Sequence, residues 1–242
     1  QNYIYDYLDS KELYERAKRN ATYTLLIREF DGNSKYSSYI RDQIMLNQSK
    51  KSKEFLRIIN RDELQTILTE LALVQSGITE NNYLEIGELS GADHILSATM
   101  ISTHKPAETI TELDIKQKKE VVIKKEAYVD STGETKYKEI KGIVRATVDH
   151  YKKESGARIS LSYKIININN RNVLYSSEVV GKNDFFHDWA TYEGDKRALS
   201  NKYKNLVKRK DKFAPSEDDL LMSIAKDVSK KLANSISNHY AN

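Results

Sequence analysis

Residues 158–168 read RISLSYKIINI and residues 173–180 read VLYSSEVV, with Asn169-Asn170-Arg171-Asn172 between them. In the first run Ile159, Leu161, Tyr163 and Ile165 occupy every second position, the period of a strand with one face against a core. The interval between the runs is turn chemistry, so together they predict an antiparallel hairpin. Toward the C-terminus, Pro215-Ser216 opens a long helix, and Ser216 with Asp219 has the form of a capping box. Leu220, Leu221, Ile224, Ala225, Val228, Leu232 and Ile236 recur along it at helical spacing. A hairpin with one apolar face and a helix with one apolar stripe bury each other, which sets the plan of helices packed on a sheet.

Toward the N-terminus the pattern alternates helix and strand. Residues 1–20 read as a polar helix with Tyr5, Leu8, Leu13 and Ala17 at loose helical spacing, so 1–21 is taken as a helical linker and 22–242 as the α/β domain. Tyr23 to Ile27 is a short β-prone run ended by Asp31-Gly32-Asn33. Tyr39, Ile40, Ile44 and Met45 mark a helix over 36–49. Phe55 to Ile59 is a second strand. Asn60 and Glu63 then cap a helix carrying Leu64, Ile67, Leu68, Leu71 and Val74, and a short helix near Tyr83 to Leu89 closes at Gly91. Asp93 to Met100 reads as a strand.

Residues 102–156 differ. Apolar residues are sparse and alternate with Lys or Glu, and Asp130-Ser131-Thr132-Gly133 is a tight turn. This stretch is expected to be an inserted set of charged hairpins. Residues 183–214 are expected to be loop and helix. The fold class is therefore α/β in the α+β sense, a mixed β-sheet flanked by helices.

Composition narrows the function classes. The chain has 242 residues, 39 basic and 35 acidic, and no cysteine, which excludes disulfides, thiolate metal sites and cysteine nucleophiles. A net charge of +4 is too mild to argue for nucleic acid by itself. The basic clusters at 50–53, 116–119 and 202–212 are interleaved with acids or serines and read as solvated faces. No window approaches the roughly 18 apolar residues of a membrane helix. Gln1 is not a natural start, so an upstream segment is expected.

Three phrases within this order resemble the CsgG family. They are Thr24-Leu25-Leu26-Ile27-Arg28-Glu29-Phe30, then Leu56-Arg57-Ile58-Ile59-Asn60-Arg61 running into Leu64 to Glu70, then Ile86-Gly87-Glu88-Leu89-Ser90-Gly91-Ala92-Asp93-His94-Ile95-Leu96. The late hairpin and last helix fit the same pattern, so the resemblance covers 22–236 apart from the insert. It implies a CsgG-like, LpoB-like domain in the cell envelope, periplasmic or associated with the outer membrane through an anchor upstream of Gln1. The family's pore-forming members place two hairpins per subunit in the outer membrane. The matching regions here, 102–156 and 181–214, hold runs such as Lys116, Lys118, Lys119 and Lys208, Arg209, Lys210. Each lipid-facing Lys or Arg would cost roughly 2–4 kcal/mol near the midplane. The pore is therefore not expected to carry over, and a subunit of a secretion assembly remains an alternative.

No catalytic constellation is visible. There is no G-x-G-x-x-G, Gly-Lys-Ser/Thr, H-E-x-x-H or G-x-S-x-G motif, and His94, His104, His150, His187 and His239 are scattered. No enzyme activity, cofactor or metal is expected. Phe185, Phe186, Trp189 and Tyr192 cluster just ahead of Arg197 and a basic run. Aromatic and Arg side chains are common interface anchors, so these five are the candidate partner-binding residues. The alternative is that the rings fold back into a core. The expected partner is a protein of the envelope, including a second copy in a homo-oligomer. The competing reading is nucleic acid bound by the insert's lysines and the aromatic loop.

Overall fold

A computed structural model describes residues 9–50, 55–59, 66, 69, 87–88 and 90–241. The helix expected after Asn60 and most of the short helix near Tyr83 lie outside the described residues. The elements are α1 (Ser10–Ala21), β1 (Tyr23–Ile27), α2 (Ser34–Lys50), β2 (Leu56–Ile59), β3 (His94–Val129), β4 (Thr135–Asn167) and β5 (Val173–Gly194). A 3-10 turn (Lys196–Ala198), α3 (Asn201–Leu206) and α4 (Glu217–His239) follow. The fold is α+β, with one mixed five-stranded sheet in the order β2-β1-β3-β4-β5.

β1 is flanked in parallel by β2, with Leu25 opposite Ile58, and by β3, with Leu26 opposite Ile95. Tight turns join β3 to β4 and β4 to β5, so these neighbours run antiparallel. The chain divides into two compact units. The first comprises 1–104, 157–183 and 218–242, and the second 105–156 and 184–217.

The first unit holds a continuous apolar core. Ile159, Leu161, Tyr163 and Ile165 of β4 are buried as their alternation requires, against Leu25 and Ile27 of β1 and the predicted stripe of α4. Gly181 of β5 lets α4 come close, since a Cβ there would lie 2.4 Å from Ile224 Cγ2 and 2.8 Å from Val228 Cγ2. The Gly91-Ala92-Asp93 phrase has a structural role. Gly91 takes φ +67°, and its N–H donates to Glu88 O. Asp93 Oδ2 then accepts the Thr24 N–H at 2.7 Å, Asp93 N–H donates to Thr24 O, and Asp93 O accepts from Ile168 N. One residue thus ties β1 to the β4–β5 turn.

Two expectations are corrected. Residues 102–156 are not a set of hairpins, because β3 and β4 run through them as one hairpin closed at Asp130. The strand-breaking signal of Pro106 is tolerated because β1 pairs with β3 only as far as Leu96, with one further bridge at Thr99. Residues 183–194 are strand rather than loop, since β5 continues to Gly194. Phe185, Phe186, Trp189 and Tyr192 are strand-forming side chains, and the nearby charge had masked that propensity.

Candidate functional site

The second unit is built on β3, β4 and β5. The Asp130 carboxylate fixes the far turn by accepting from Thr132 N at 2.9 Å, Thr132 Oγ1 at 2.6 Å and Glu134 N at 3.1 Å, with Lys136 paired to it. The Lys136 contact first, and then the Thr132 bonds, hold this carboxyl far below the usual range. Gly133 has φ +86°, which the turn demands. At the other end Asp195 N–H donates to Arg145 O, so β5 stops opposite Arg145. Before Arg145, β4 has only β3 beside it among the described residues. From 101 to 145, a run of 45 residues, no side chain is buried.

Beyond Arg145 a small core forms. Ala146 and Val148 of β4, Ala190 of β5, and Ala198, Leu199, Tyr203 and Leu206 of the following turns pack together, with Tyr192 and Ile115 partly buried against them. Alternation places Phe186, Ala190 and Tyr192 on one face of β5 and Phe185, His187 and Trp189 on the other. The five expected partner-binding residues therefore do not form one patch. Phe186 is 58% exposed. Phe185 is half-buried, as is Trp189, which stacks on Tyr151 at 5.2 Å and His187 at 5.6 Å beneath Lys153 Nζ at 5.2 Å. Tyr192 leans on the small core. Arg197 is exposed, but its guanidinium grips Asp195, with Nη2 to Oδ2 at 2.6 Å, which lowers the Asp195 pKa and raises that of Arg197.

Sequence reading missed a charged cluster around His150. The ring is 1% exposed, with Nδ1 3.6 Å from Glu112 Oε2 on β3 and Nε2 3.7 Å from Asp188 Oδ2 on β5. Tyr203 meets it edge-on at 6.0 Å. Lys152 pairs with Glu112, and that bond is the main reason the Glu112 pKa is lowered. Arg209 pairs with Asp188. No sequence motif announces this cluster, because its members come from three strands and depend on register. Asp114, at φ 56°, breaks the alternation of β3 nearby, and its N–H donates to Asp149 Oδ1 at 3.0 Å.

In the first unit the buried His94 places Nδ1 2.9 Å from Tyr240 Oη and stacks on Tyr23 at 4.8 Å. Burial chiefly lowers its pKa. Among the described residues no group of three or more His, Asp or Glu is placed to hold a metal ion. No described helix is long and apolar enough to cross a membrane.

The family model described as curli production assembly/transport component CsgG matches residues 19–109. No curated protein matches the chain. Similar solved structures include the hypothetical protein CT253 from Chlamydia trachomatis, at 8% identity and TM-score 0.32 over 92% of this chain and 100% of that one. Lipoprotein GNA1162 from Neisseria meningitidis gives 10% identity and TM-score 0.34 over 88% and 99%. The LpoB C-terminal domain from Salmonella enterica gives 11% and 0.30 over 66% and 82%. The matched stretch contains all three phrases from Thr24 to Leu96 that carry the resemblance, and over residues 19–109 this chain is similar to the CsgG family.

Proposed function

We propose that this chain is a non-enzymatic protein of the cell envelope that works by contact with a protein partner through its long β3–β4 hairpin and the adjoining face of β5. The family match favours the envelope, since the family is that of a curli production assembly/transport component. The carrying observation is the unburied run from 101 to 145. A two-stranded ribbon is marginal in water by itself, and this one displays Ile123, Val129, Tyr137 and Ile143, each more than half exposed. Lys118 and Lys119, and Lys124 and Lys125, are adjacent in a strand and so point to opposite faces. Neither face is free of cations, which favours an aqueous, protein-facing role over a lipid-facing one. Phe186 is the outward anchor on β5, with Trp189 on the opposite face. A photo-crosslinking residue at Ile123 or Phe186 in the native cell should yield a discrete protein adduct, and one at Tyr14 of α1 should not. Adducts from Tyr14 alone would reject the reading.

A further inference from the structure

We infer that residues 208–213 form a docking element for an anionic phospholipid surface. The segment reads Lys-Arg-Lys-Asp-Lys-Phe. Its acidic residue and its arginine are both turned to the second unit. Lys153 Nζ donates to Asp211 Oδ1 at 2.5 Å and to Lys212 O at 3.2 Å, and Arg209 pairs with Asp188. Lys210 O lies 2.8 Å from His187 Nε2, which ties the backbone to β5. These bonds leave Lys208, Lys210 and Lys212 exposed and without an acidic partner among the described residues. Next to them Phe213 is 95% exposed. A phenyl ring held almost wholly in water beside three unneutralised lysines fits a surface that takes an apolar side chain below a layer of negative charge.

Charge distribution agrees. The second unit contains 20 basic and 16 acidic residues and the first 19 of each, so the whole net charge of +4 belongs to the unit that carries this segment. A nucleic acid fits less well. Single-strand binding stacks successive bases on several open rings; Phe213 is open, but the faces of Trp189 are taken up by Tyr151, His187 and Lys153, and Tyr203 is buried.

The test is co-sedimentation of the full chain with vesicles of phosphatidylcholine containing phosphatidylglycerol, against vesicles of phosphatidylcholine alone. Binding should require the anionic lipid and fall as salt rises. Each of Lys208→Gln, Lys210→Gln and Lys212→Gln should weaken it about fivefold, and Phe213→Ala roughly tenfold. Lys18→Gln on α1 should leave it unchanged. The changes at 208, 210, 212 and 213 are at exposed positions, and circular dichroism checks the fold. A Phe213→Trp variant gives an independent reading: its emission should shift to the blue on the anionic vesicles. Absence of binding, equal binding to neutral vesicles, or binding indifferent to residue 213 overturns the proposal. So does lysine-dependent binding of an oligonucleotide with none to vesicles.

Discussion

The two units use the same kind of strand to opposite ends. In the first, the residues of β4 between Ala157 and Asn167 alternate into a closed core under α4. In the second, the same strand from Thr135 to Val144 buries no side chain and, among the described residues, has only β3 beside it. The charges follow this division, neutral in the first unit and +4 in the second. Stability is therefore concentrated where side chains leave water, and the long hairpin contributes surface.

The largest test of this contrast is a matched pair of truncations. Leu161→Ala should cost roughly 2–5 kcal/mol in urea unfolding, whereas Leu113→Ala, at 62% exposure, should stay within about 0.5 kcal/mol. Equal effects would break the comparison. Asp93→Ala removes the acceptor for Thr24 N–H and should cost about 1.5–3 kcal/mol. Gly181→Ala drives a methyl into Ile224 and Val228, and should cost roughly 1–3 kcal/mol by overpacking.

A pH titration sharpens the picture. His94 has a folded pKa below its ordinary 6.5, first through burial, and His239 is lowered for the same reason. Between the folded and unfolded values the unfolded chain takes a proton that the folded chain refuses. Stability should be full above about pH 6.5 and fall as pH drops below it. His94→Phe should flatten much of that fall in thermal unfolding scans. The smallest effect is expected on the hairpin, where Lys141→Ala, which removes the exposed pair with Glu120, should change stability by no more than about 0.5 kcal/mol.

Much of the first unit was legible in sequence. The stripe from Leu220 to Ile236 and the alternation from Ile159 to Ile165 report the faces they bury, because burial imposes periodicity. The second unit was harder. A strand with both faces in water has no apolar period, so β3 looked like several charged pieces rather than one strand of 36 residues. The aromatic group was visible as a cluster in sequence. Its division between two faces of β5 became apparent only once residues 183–194 were known to be strand. His150 was invisible because its neighbours Glu112 and Asp188 reach it across two strand pairings.

The central claim is that the hairpin binds and does not stabilise. Glu120 and Lys141 face each other, so they can be joined through residues 130–134, with 121–129 and 135–140 removed. The decisive measurement is binding of this shortened chain to the protein captured by cross-linking at Phe186, at a concentration where the full chain is saturated. The account predicts that the shortened chain keeps the full chain's unfolding midpoint and loses the partner. Retained binding, or loss of binding together with a collapsed midpoint, would contradict it.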